Sequence, residues 1–110
     1  MAGYVIHTPA GLTATAAIEA SALGPSDVCA DALPDALARD AGLTVLEYVD
    51  VTDEFYRTCC AFRDGIMALE SPLRAAEGDE AYEDERARKV SMIEGIERDL
   101  LRRCLLVVMK

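Results

Sequence analysis

Tryptophan is absent from this 110-residue chain, phenylalanine occurs twice and histidine once. Large rings usually supply much of a core's buried area, so this core must rely on aliphatic packing. The lone histidine, His7, excludes a histidine-rich metal centre, and the four cysteines at 29, 59, 60 and 104 have neither zinc-knuckle nor thioredoxin spacing. They read as reduced, mostly buried thiols of a cytoplasmic protein. No apolar run approaches the ~18 residues of a membrane span. No basic segment followed by an apolar core marks a secretion signal. Basic side chains are also scarce: 11 Lys and Arg stand against 20 Asp and Glu, a net charge of −9. Nucleic acid and anionic membranes select basic patches, so neither is an expected partner. No nucleophile-elbow motif is present, which argues against a hydrolase.

What is present fits one domain or less. Hydrophobic residues make up 52% of the chain, enough to exclude disorder throughout. The best-defined stretch is Ala41 to Thr52: a helix stop at Gly42, a strand over Leu43–Val51 and a helix start at Thr52. Leu43, Val45, Glu47, Val49 and Val51 are expected on one face, with Leu46 and Tyr48 on the other, in a strand covered on both sides for much of its length.

Around it the chain reads in order. Gly3–His7 is a short strand stopped by Pro9 and Gly11. Thr13–Ala22 is an alanine-rich helix that Thr13 can cap. Gly24-Pro25-Ser26 breaks the chain, and Asp27–Ala32 is ambiguous. A short helix runs from Leu33-Pro34-Asp35 to Ala41. After Thr52, the stripe Phe55, Cys59, Phe62, Ile66, Leu69 predicts one continuous helix face. Ser71 is the expected cap of a short helix with Pro72 in its first turn. A long helix follows from Asp79 to about Leu101, with Tyr82, Arg86, Lys89, Ile93, Ile96 and Leu100 on one face and Val90 widening it. Pairs Glu85–Lys89 and Glu94–Arg98 are spaced to support it. Gly95 is a soft spot there, costing roughly 1 kcal/mol relative to Ala. Cys104–Met109, apolar on both faces, reads as an inner strand.

Three stretches in order resemble the C-terminal half of a class I S-adenosylmethionine-dependent methyltransferase. Gly3-Tyr4-Val5-Ile6-His7-Thr8-Pro9-Ala10-Gly11-Leu12 is similar to the fifth strand and its loop. Ala41-Gly42-Leu43-Thr44-Val45 through Asp50-Val51-Thr52 resembles the sixth strand's entry and exit. Leu100 to Lys110 resembles the last strand. The resemblance implies an α/β fold: a partial Rossmann-like methyltransferase sheet of three strands. Gly3–His7 and Leu43–Val51 would be outer, Cys104–Met109 inner and antiparallel, with about four to five helices. It implies a single partial domain over residues 1–110 that lacks the cofactor-binding half. Glycines stand at 3, 11, 24, 42, 65, 78 and 95, so no G-x-G turn exists.

A chain of this kind is expected to be a truncated or split methyltransferase, inactive alone. It would bind no cofactor by itself, and S-adenosylmethionine only when an N-terminal half completes it. The resemblance puts His7, Thr8, Tyr56 and Arg63 beside a small-molecule substrate, with His7 a candidate base near neutral pH. The residues alone are also read as a polar strand end at His7, a half-buried packing residue at Tyr56 and a solvated or ion-paired Arg63. The other class of function is a small acidic interaction protein that associates with itself. In either case the open edge of Gly3–His7 is expected to pair with a complementing chain or a second copy.

Overall fold

The computed structural model describes every residue except 26, 27 and 31. The reading of Ser26 as part of a break, and of Asp27 and Asp31 as ambiguous, lies outside the described residues. The order is β1 (Ala2–His7), α1 (Ala14–Leu23), α2 (Pro34–Asp40), β2 (Thr44–Asp50), α3 (Thr52–Ala68), α4 (Glu70–Glu77), α5 (Asp79–Glu97) and β3 (Arg102–Met109). The sheet order is β1-β3-β2. Both outer strands pair antiparallel with β3, so the last strand fills the middle, as its apolar composition requires. β1 and β2 are therefore parallel to each other, with β3 between them. Pairs such as Val5↔Cys104 and Cys104↔Asp50 set the register. One sheet face carries α2, and the other meets α3 and α5 through Ile6, Phe55, Cys59, Met92 and Ile93.

β2 departs from the expected strand in two ways. A bulge at Leu46 separates Val45↔Val108 from Glu47↔Val107. The extra residue shifts the alternation, so Val45 shares a face with Tyr48 and Asp50, while Glu47 and Val49 take the opposite one. The strand is also not covered on both sides. Leu46 is 58% exposed, and Tyr48 and Val49 are exposed as well. As the edge of a three-stranded sheet, β2 packs against α2 on one face.

Helix ends follow local chemistry. Thr13 accepts from the Ala16 N–H at 3.1 Å and caps α1 as expected. After α2, Gly42 takes φ 85°, its N–H donates to the Arg39 carbonyl at 3.0 Å, and the Leu43 N–H donates to the Ala38 carbonyl at 3.0 Å. This is a Schellman ending with glycine at the left-handed position. Thr52 is not the cap of α3 but its first residue. The carboxylate of Asp50 accepts from the Thr52 N–H at 2.9 Å and also from its hydroxyl. α4 begins at Glu70 without a side-chain cap, so Ser71 is inside the helix. The break falls at Leu69, whose carbonyl accepts from the Leu73 N–H, and Pro72 needs no donor so early in a helix.

α5 stops at Glu97, short of Leu101. Asp99 takes φ 54°, the Asp99 N–H donates to the Ile96 carbonyl at 3.0 Å, and the Leu100 N–H donates to the Gly95 carbonyl at 2.8 Å. The ending repeats that of α2 with aspartate where glycine is usual. Short polar side chains tolerate this conformation best after glycine. Released from the helix, Arg102 and Arg103 join β3.

The α3 stripe is buried only in its first half. Phe55 and Cys59 are core, whereas Phe62 is 57% exposed and Leu69 is exposed. On α5, Tyr82, Met92 and Ile93 are buried, but Val90 faces solvent. Lys89 lies 5.2 Å from the Phe62 ring centroid, and Glu85 pairs with Arg88 at 3.5 Å instead of Lys89. Glu94 and Arg98 meet at 3.7 Å.

Candidate functional site

β1 delivers its carboxyl end into the loop Thr8–Gly11, where Gly11 turns the chain at φ 78°. The Cys29 N–H donates to the Ile6 carbonyl at 2.9 Å, and the Thr8 N–H donates to the Cys29 carbonyl at 3.1 Å. This single parallel bridge, His7↔Cys29, draws the segment after α1 against the strand end. A cavity of about 300 Å³ lies beside it, lined by Thr8, Pro9, Gly11, Leu12, Ala17 and Leu33 among others. The carboxyl ends of strands are where open α/β sheets bind ligands. Among the described residues, no titratable side chain lines this cavity. It can enclose a small group and offer it the Thr8 hydroxyl and loop backbone, and its described lining supplies no acid or base.

His7 sits directly behind Thr8, only 4% exposed, with Nδ1 3.0 Å from the Thr8 carbonyl. A proton on Nδ1 satisfies that contact and leaves Nε2 as the acceptor. Tyr56 is elsewhere: its hydroxyl donates to Glu97 at 3.0 Å, and that carboxylate raises the phenol pKa. Arg63 is on the same helix about 10 Å further along. It pairs with its neighbour Asp64 at 3.1 Å, and that contact raises its pKa. The structure thus brings His7 and Thr8 together. Among the described residues no hydrogen bond or ion pair joins Tyr56 or Arg63 to them, and neither lines the cavity.

A second group, not foreseen from the sequence, shares the face under α2. Tyr48 lies beside the Cys104 thiol, and burial, with Cys104 and Asp35 nearby, pushes its pKa up to about 12. Burial also raises the Cys104 thiol. Asp50 stands across from Cys104 in the register. The Thr52 hydroxyl and N–H hold its carboxyl below the usual carboxylate range. The spacing Asp50-x-Thr52 is itself a turn signature that was open to sequence reading.

The Asp50 contact at the head of α3 gives a direct prediction. Asp50→Ala removes the acceptor and is expected to cost about 1 kcal/mol in urea unfolding at neutral pH. Because the folded pKa is lowered, this contribution is complete above the ordinary carboxylate pKa near ~4 and fades as pH falls through the folded value. Asp50→Asn keeps an acceptor, so it should lose less and flatten the acid limb of the stability profile.

No family model matches the chain, and no curated protein does. Among solved structures, the chain is similar to apo mycolic acid cyclopropane synthase CmaA1, with a TM-score of 0.80 at 15% identity. The match covers 100% of this chain and 46% of that one, so this chain spans less than half its length. At that identity the likeness establishes the fold.

Proposed function

We propose that this chain is the substrate-side half of a methyltransferase-type domain, inactive until strands equivalent to the family's first four complete the sheet. The observation that carries the reading is the match of the whole chain to 46% of the cyclopropane synthase at a TM-score of 0.80. The residues present do not fit S-adenosylmethionine. Among the described residues, the cavity at Thr8 is walled by small and apolar side chains, with no carboxylate for a ribose. No glycine pair supplies the close turn that a nucleoside-type cofactor needs. On this reading the cavity belongs to the substrate side, with Thr8 in its wall and His7 one residue behind, and the cofactor arrives with the other half.

Isothermal calorimetry tests the reading. The 110-residue chain should give no binding heat with S-adenosylmethionine up to roughly millimolar concentration, about −4 kcal/mol or weaker. Micromolar affinity for the chain alone would overturn it.

A further inference from the structure

The outer edge of β1 is an unguarded pairing surface. The Met1 amine donates to the Val108 carbonyl at 3.0 Å, and the Val108 N–H donates to the Met1 carbonyl at 2.9 Å. In an antiparallel ladder this exchange recurs at every second residue, so residues 1, 3, 5 and 7 bond to β3. The backbone groups of residues 2, 4, 6 and 8 therefore point outward. Cys29 takes the Ile6 carbonyl and the Thr8 N–H. Ala2 and Tyr4 are left with both groups open, and no described residue pairs with them.

The two sheet edges differ in how they are protected. β2 carries a bulge at Leu46 and the charges of Glu47 and Asp50, devices that discourage a second strand. β1 has no bulge, and Ala2 to Ile6 include no charged side chain, in a chain of net charge −9. Tyr4 is 61% exposed on one face of this edge. On the other, Met1, Gly3, Val5, Leu106 and Val108 line an apolar depression of about 170 Å³.

We infer that β1 pairs antiparallel with β1 of a second copy about a two-fold axis at Gly3, joining two three-stranded sheets into one of six. A two-fold axis demands antiparallel pairing with the same patch on both sides. The register that uses both open residues sets Ala2 against Tyr4 of the copy and Tyr4 against Ala2. That forms about four hydrogen bonds and places Gly3 opposite Gly3 at the close, non-bonded position. There the Cα atoms approach to about 4.5 Å, where the absence of side chains removes any obstruction. Each Tyr4 ring then lies beside the copy's Ala2, and the two apolar depressions adjoin across the axis. The low charge of β1 favours a copy at this edge, since two chains of net charge −9 repel each other where their charged faces meet. The inference rests on the β1 edge alone and not on the methyltransferase reading. A complementing half would compete for the same edge.

Sedimentation velocity decides it. The native chain is expected to dimerise at tens of micromolar, the weak end of specific interfaces. Gly3→Glu puts two carboxylates on the axis, and a side-chain carbon at Gly3 meets no atom of the protomer within 4 Å. Ala2→Pro removes an outward N–H and spares the bonds to β3. Each should weaken the dimer on the order of tenfold or more, equivalent to ~1.4 kcal/mol, with the circular dichroism spectrum unchanged. A native chain that stays monomeric at 50 µM or roughly so overturns the proposal. So does a dimer that both variants leave intact. Neither result bears on S-adenosylmethionine binding, so the two readings fail separately.

Discussion

Leu101→Ala is expected to lower unfolding free energy by about 2–5 kcal/mol, a large part of what a domain of this size has. Leu101 is 0% exposed and sits between two glycines from different elements. A Cβ on Gly95 of α5 would lie 2.5 Å from its Cδ1 and 2.9 Å from its Cγ, and a Cβ on Gly24 would lie 2.9 Å from its Cδ2. The leucine thus ties the end of α1 to α5 and to the start of β3. The same geometry reverses the expected effect of Gly95→Ala. Helix propensity alone favours Ala by roughly 1 kcal/mol. The added methyl, however, meets the fully buried Leu101 at its branch point, so the leucine must shift. Overpacking of this kind costs about 1–3 kcal/mol, so Gly95→Ala should destabilise. In the double variant the new methyl occupies part of the space Leu101 vacates, so the losses should add to less than their sum. Urea unfolding of the three variants measures this. A Gly95→Ala protein more stable than its parent would contradict it.

Phe55→Ala should cost a comparable ~3–5 kcal/mol. Phe55 is 3% exposed and packs with Cys59, Met92 and Ile93, where α3 and α5 meet the sheet. Its ring also serves a charge. The Arg103 guanidinium is 4.9 Å from the Phe55 centroid and 4.7 Å from that of Tyr4, and its buried Nε has no hydrogen-bond partner among the described residues. The two ring faces offset part of the cost of desolvating that cation, worth about 2 kcal/mol when buried. Phe55→Ala therefore opens a cavity and strips one face from the arginine. Arg103→Met keeps the apolar stem and removes the charge, so it should be near neutral or stabilising. If Arg103→Met proves as damaging as Phe55→Ala, the guanidinium has a role that ring contact does not explain.

Particular elements show what was legible. Gly42 announced its helix ending because glycine at a left-handed position leaves a signature in the sequence. Asp99 adopts the same geometry without that signature, so the helical pattern in the sequence runs about four residues past the end of α5. The α3 stripe was read correctly as periodic, but periodicity does not say how far a neighbour extends. α5 covers Phe55 and Cys59, and Phe62 is left to Lys89 and solvent. Of the candidate site, His7 and Thr8 fall together because they are consecutive at a strand end. Where Tyr56 and Arg63 point depends on the path of α3, which no local rule fixes. Tyr48, Cys104 and Asp35 meet only through the sheet register and the placement of α2.

By itself the sequence determined that β3 is the inner strand, because a segment apolar on both faces must be covered on both. It also determined the element order, since glycine, proline and cap residues punctuate the chain locally. Only the tertiary structure decided that β2 is an exposed, bulged edge, that Leu101 locks Gly24 against Gly95, and that Ala2 and Tyr4 have no outward backbone partner among the described residues. Each of these depends on which strands and helices become neighbours. That choice is made by burial and hydrogen bonding summed over distant residues, and no stretch of the chain records it alone.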